Sequence, residues 1–345
     1  MNIYYGKHLD IKEIKIGIEI LRIYLSFLVV NTHCFKFNNN IKYNIILIFL
    51  RNRLHSPSFF IISFFFFYKT LISRNLDKYK RRLQKLLIPY IVWPLIIWII
   101  NNIYVHYFNI ELKHSFEDLT KQLLAGHCFI EVFWFQWDLI YETFLFILIE
   151  LVFHNYKLFI LIYIELIAYF LQYSQFNYKL FSSLNFEIKY TFGRFIEIIP
   201  YSISGFIFAY FKLIERLKTN RIRVFILFLL IFILIYKYFF INEPFGFGYT
   251  GIKLHILSIC IFTSFSIISN KIFTNNLIKT ITLISNFTPG IYYLHIPIML
   301  YFQNFIIFIK NKKLYGSIFI YITCYFICLI GNFFFKKTRL RNLFQ

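Results

Sequence analysis

An all-α bundle that crosses a membrane about ten times follows from three features of the chain: its composition, the spacing of its apolar runs and the placement of its charges. The apolar fraction is 59%, mean hydropathy is +0.62 and charged residues make up 15%, against about 45–50% apolar and 25% charged in soluble domains. Phe (48) and Tyr (27) carry much of that weight; an AT-rich coding bias explains this most simply, and no function is read from it. A helix needs about 20 largely apolar residues to cross a hydrocarbon layer roughly 30 Å thick. Runs of that kind lie near 17–35, 57–72, 87–105, 129–153, 158–173, 195–211, 224–241, 252–268, 287–308 and 315–335. A shorter apolar stretch at 43–50 reads as re-entrant or interfacial.

The formal net charge of +21 does not point to nucleic acid. A nucleic-acid binder gathers Lys and Arg on a solvated face beside a soluble core, whereas these cations fall mostly between apolar runs, where they orient the helices and meet anionic lipid. Ten spans put both termini on one side. Placing them in the cytoplasm leaves about 22 Lys and Arg inside and about 12 outside, the bias expected of cytoplasmic loops. The densest inside block is 69–85. The five cysteines lack metal-type spacing, so no metal is expected. No cleavage site follows the first apolar run, which reads as a retained anchor. Residues 1–345 are expected to form one membrane domain with no appended soluble domain.

Ionisable side chains inside spans cost about 2.5–3.5 kcal/mol each on insertion scales, so they mark where chemistry is to be sought. The first span holds Glu19, Arg22 and His33. Eleven residues at 100° each bring Arg22 and His33 within about 20° on one face, roughly 16 Å apart along the axis, and Glu19 joins the same stripe. An alternative for these residues is a snorkelling Arg22 paired to Glu19 beside an unrelated packing His. After the second span comes SRNLDKYKRRLQKLLIPY, an inside anchor in which Arg82 and Lys85, one turn apart, have the charge to clamp phosphates of a soluble donor. In the fourth span Glu131, Trp134, Asp138 and Glu142 recur at spacings of 3, 4 and 4. Carboxylates on one intramembrane face must look into a cavity or toward cations, and Arg22 is the partner expected for them. The ninth span opens with SNFTPGIYYLHIPIM, where Pro289 and Gly290 break or kink the helix ahead of Tyr293 and His295.

In order along residues 8–337, these segments resemble the acyltransferase 3 family of membrane acyltransferases, which includes many bacterial glycan O-acetyltransferases. Arg22 and His33 match its Arg–ten residues–His pattern. Pro57-Ser-Phe59-Phe60-Ile-Ile-Ser63 is similar to Pro-x-Phe-Phe-x-x-Ser-Gly, with Phe64 where the family has Gly. Arg82-Leu-Gln-Lys85 resembles Arg-x-x-Arg, with Lys85 in place of the second Arg. Glu131-x-x-Trp134-Phe135 and Gly290-Ile-Tyr292-x-x-His295 fit two further motifs.

The resemblance implies a cytosolic acyl-CoA donor, most often acetyl-CoA, and a hydroxyl acceptor on a lipid-linked or surface glycan, with direct transfer or hand-over to a separate extracytoplasmic partner. On that reading His33, Arg22 and Glu131 are the catalytic candidates. Arg22, Arg82 and Lys85 hold the donor, and Trp134, Asp138, Glu142, Tyr293 and His295 contact the acceptor. The competing reading is a transporter or flippase of lipid-linked sugar, or a polysaccharide-export component. Inverted repeats, common in transporters, are not visible in the sequence.

Overall fold

A computed structural model describes residues 12–34, 54–108, 115–126, 133–173, 186–217, 221–240, 251–303 and 313–336, with single positions 338, 341, 343 and 344. Among these residues the chain is helical and has no strand. The helices are α1 (Lys12–Cys34), α2 (His55–Ile72), α3 (Leu76–Phe108), α4 (Phe116–Ala125), α5 (Phe133–Val152), α6 (Lys157–Tyr173), α7 (Phe186–Tyr210) and α8 (Leu213–Leu217), followed by α9 (Arg221–Phe240), α10 (Ile252–Ser266), α11 (Asn275–Asn286), α12 (Thr288–Gln303) and α13 (Lys313–Phe334). The apolar stretch 43–50 lies outside the described residues.

Two helices organise the packing. α2 runs against α7 along most of its length and also meets α1, α5 and α10. α1 packs on α2, α10, α11, α12 and α13, burying Ile18, Leu21, Leu25 and Leu28 at helical spacing. The α2–α7 approach is close because Gly205 faces the main chain of Ile61: a Cβ there would fall 2.3 Å from the Ile61 carbonyl oxygen. Small residues at such crossings let membrane helices come together without a hydrophobic driving force. Phe64, standing where the related motif has Gly, is buried with its ring centroid 4.5 Å from Phe146. An aromatic contact to α5 fills that position.

The outer surface is apolar. On α6, Phe159, Tyr163, Leu166 and Phe170 recur at spacings of three and four, each at least 59% exposed. On α13 Ile322, Phe326, Ile330 and Phe333 recur at the same spacings and are likewise exposed. Contiguous apolar faces of this kind mark a membrane or partner surface. By length and composition four helices qualify as membrane spans, at 16–33, 76–103, 191–210 and 316–334. The expected count of about ten is therefore met by four among the described residues. α6 and α12 have 17 and 16 described residues, and α5 carries three acids within its apolar run.

The break foreseen at Pro289-Gly290 is a helix boundary. α11 stops at Asn286, Phe287 turns, and α12 begins at Thr288 with Pro289 in its first turn, where a missing N–H costs nothing. At the other end of α5, the buried Glu150 carboxylate binds Lys157 at 2.7 Å, His154 at 2.6 Å and Arg74 at 3.3 Å, tying α5 and α6 to the turn after α2.

Gly205→Ala is expected to lower the melting temperature in detergent. The added methyl meets a carbonyl, and overpacking of this type costs about 1–3 kcal/mol, more than the roughly 1 kcal/mol that Ala gains over Gly in a helix. Gly193→Ala, where a Cβ meets no described atom within 4 Å, is expected to leave the melt unchanged or raise it.

Candidate active site

The stripe on α1 faces the helix boundary. Glu19 is buried and its Oε2 accepts a hydrogen bond from Thr282 Oγ1 of α11 at 2.5 Å. Arg22 donates from Nη2 to Thr288 Oγ1, the first residue of α12, at 3.1 Å, and Thr288 in turn donates to the Ser285 carbonyl at 2.9 Å. Breaking the helix between residues 286 and 288 is what presents Thr288 to Arg22. Farther along α1, the His33 ring centroid lies 5.1 Å from that of His295 on α12. His295 is 1% exposed, with Nδ1 2.7 Å from the Tyr292 carbonyl oxygen. A carbonyl only accepts, so in the neutral ring Nδ1 carries the hydrogen and Nε2 presents a lone pair. No described group satisfies that Nε2. His55 of α2, with Nδ1 2.9 Å from Ser56 Oγ, lies within electrostatic reach of the same ring. Among the described residues no cluster has the makings of a metal site.

Arg82 and Lys85 part company. Arg82 turns toward α2, donating from Nη2 to Ser63 Oγ, with its guanidinium 5.3 Å from the Phe67 ring centroid. Two of the motifs noted in the sequence thus meet through one hydrogen bond. Lys85 is exposed.

The carboxylates of α5 do not face Arg22. Asp138 and Glu142 are 2% and 0% exposed and look toward α7. Arg194 Nη2 lies 3.4 Å from Asp138 Oδ1, and its guanidinium sits 5.7 Å from the Trp134 ring centroid. Ser202 Oγ donates to Glu142 Oε2. The reason is positional: α5 packs on α2, α3 and α7, whereas α1 packs on α2 and on α10 to α13, so α2 is their common neighbour. Gln136, on the other side of α5, reaches the His295 region. Its Nε2 donates to the Leu86 carbonyl at 2.9 Å and its Oε1 accepts from Tyr293 Oη at 2.8 Å. Tyr293 also stacks on Phe133 at 5.7 Å. Glu131 lies outside the described residues.

Another polar group escaped the sequence reading. His255 of α10 is buried between Ser204 of α7, whose Oγ is 2.6 Å from Nε2, and Tyr169 of α6, whose hydroxyl bonds Nδ1, with Glu165 Oε1 4.0 Å away. Glu165, Arg194 and His255 each interrupt an apolar run, which was the available clue.

Taken together, these helices form a membrane-type bundle with a paired imidazole site, the architecture of a helical membrane enzyme. Over residues 15–337 the chain matches the acyltransferase 3 family, described as an acyltransferase domain, and it belongs to that family. It is an acyltransferase, and its apolar helices fit an integral membrane protein. No curated protein and no solved structure matches it.

Arg194→Met strands a buried carboxylate and is expected to destabilise the protein by about 3–5 kcal/mol. Adding Asp138→Leu removes the stranded charge and should recover most of the loss, both read as melting temperatures in detergent.

Proposed function

We propose that this acyltransferase moves an acyl group, acetyl in the first instance, from a cytosolic acyl-CoA to a hydroxyl of a lipid-linked or surface glycan, working as a multi-pass protein of the bacterial cytoplasmic membrane with both termini inside. The observation that carries this reading is the His33–His295 pair, 5.1 Å between ring centroids, with an open lone pair on His295 Nε2.

His33 acts as general base. It takes the proton of the attacking hydroxyl as that oxygen bonds the thioester carbon, the C–S bond breaks, and the proton passes to the departing thiolate sulfur. An imidazole suits this because its ordinary pKa lies near working pH. His295 Nε2 accepts a hydrogen bond from a neighbouring hydroxyl of the acceptor sugar and so holds the attacking one beside His33, with Tyr293 lining the same wall. Arg22 sits roughly 16 Å from His33 along α1, a separation that suits a long donor whose phosphates stay at the cytoplasmic mouth with Arg22, Arg82 and Lys85. Trp134, Asp138 and Glu142, on the side of α5 away from the histidine pair, serve a part of the acceptor remote from the reacting hydroxyl, together with Glu131 beyond the described start of α5. Hand-over to a separate extracytoplasmic partner is compatible with this scheme.

His33→Ala is expected to cut acetyl-CoA-dependent transfer by at least about 100-fold at equal folded yield, the lower end of what a general base contributes; near-equal rates would remove His33 from the chemistry. Arg82→Gln is expected to raise the KM for acetyl-CoA about tenfold while kcat changes little, in steady-state kinetics on purified protein.

A further inference from the structure

Gly290 opens the motif that ends at His295, and the histidine site itself makes no use of it. A Cβ at Gly290 would fall 2.9 Å from the Phe344 carbonyl oxygen and 2.5 Å from Cys328 Sγ. At Gly331 of α13 a Cβ would fall 2.4 Å from the Phe344 ring. Two glycines on neighbouring helices thus form a notch, and Phe344 sits in it, 9% exposed. Its ring stacks on Phe335 at 5.7 Å and stands edge-on to Trp93 at 5.8 Å. The segment after α13 reaches the notch by successive turns. The N–H groups of Thr338, Arg341 and Phe344 donate to the carbonyls of Phe335, Thr338 and Arg341 at 2.9, 3.3 and 3.1 Å. Arg341 Nε donates to Asn332 Oδ1 at 3.0 Å, and Trp93 Nε1 to the Leu343 carbonyl at 3.1 Å.

These contacts cross a seam. Among the described residues α3 packs chiefly on α2, α4 and α5, and α12 on α1, α11 and α13. Trp93 of α3 and Tyr293 of α12 meet across it, stacked with 6.4 Å between ring centroids. Tyr293 belongs to the wall of the histidine site through Gln136, and His295 follows two residues later. We infer that the segment 338–344 is a strap across the α3–α12 seam: it fixes the Trp93 indole against Tyr293 and so positions the histidine wall for transfer. Phe344 is its anchor and a positioning residue. Leu343 gives the buried indole N–H its acceptor, without which the ring has no preferred orientation. The inference rests on the histidine-site reading above.

The test uses purified full-length protein in detergent with acetyl-CoA and an alkyl β-glucoside, reading thiol release. Alongside it, N-ethylmaleimide labelling of Cys328, buried beside the notch, reports whether the strap is seated. Two variants release the strap from opposite sides. Phe344→Ala removes the ring, and Gly331→Ala pushes it out with a methyl while favouring α13 itself, since Ala is the better helix former. Both are expected to label Cys328 several times faster than the wild type does. Each should lower kcat about tenfold by misplacing the wall and leave the KM for acetyl-CoA unchanged. The double variant should be no slower than the slower single. Faster labelling with unchanged kcat overturns the inference and spares the reading beneath it. A rise in kcat does the same, since it makes the segment a plug, and so does a raised KM at constant kcat. Wild-type labelling in both variants overturns it too, because Phe344 then does not hold the segment in place. His33→Ala in the same assay tests the reading itself: a wild-type rate there removes the histidine site from the chemistry, and this inference with it.

Discussion

Hydrocarbon offers no solvation to an ionised side chain, and each one set into a span has to find its partner on another helix. That requirement organises this bundle. Glu19 reaches Thr282, Arg22 reaches Thr288, Asp138 reaches Arg194, Glu142 receives Ser202, and Glu150 holds Arg74, His154 and Lys157. Several of these contacts join segments far apart in sequence, as with Arg22 and Thr288, 266 positions apart. Apolar packing alone gives weak directional preference among Phe- and Ile-rich helices in lipid. The polar contacts supply the register.

The same contacts place the histidine pair. α1 and α12 lie side by side, and two pairs of side chains join them: Arg22 with Thr288 near the start of α12, and His33 with His295 farther along. The interruption at Phe287 is what gives α12 its separate start, so the turn that breaks the helix also brings Thr288 to Arg22. Gln136 and Tyr293 then connect α5 to the wall of the histidine site, while the opposite side of α5 faces α7. α5 is therefore a partition with a different polar site on each side. Arg22 was the partner expected for the α5 carboxylates, and the position of α2 between α1 and α5 explains why they do not meet.

Periodicity and composition made much of this legible. The helical membrane class, the common face of Arg22 and His33, and the boundary near Pro289 follow from spacing and from the backbone chemistry of proline. Partner choice did not. Asp138 and Arg194 are 56 residues apart, and nothing local to either names the other. Arg194, Glu165 and His255 were visible as interruptions of apolar runs, yet their meaning depends on which helices α7 touches. α4 was missed as an element although Ser115 and Asp118 form a reciprocal cap and Gly126 closes the helix in a left-handed conformation. A Ser-x-x-Asp before a short amphipathic run is a start signature, hidden here between two stronger apolar segments. Lys85 and Arg82 looked like a pair one turn apart, but the hydroxyl of Ser63 takes Arg82 inward and leaves Lys85 exposed.

In the proposed mechanism His33 and His295 act as one unit on one acceptor sugar. A double-mutant cycle on transfer rate measures this directly, because residues that work as a unit are strongly non-additive. With His33→Ala, His295→Ala and the double variant compared at matched folded yield, the account predicts a double variant no slower than the slower single. Losses that multiply across the two sites would mean independent roles and would contradict it.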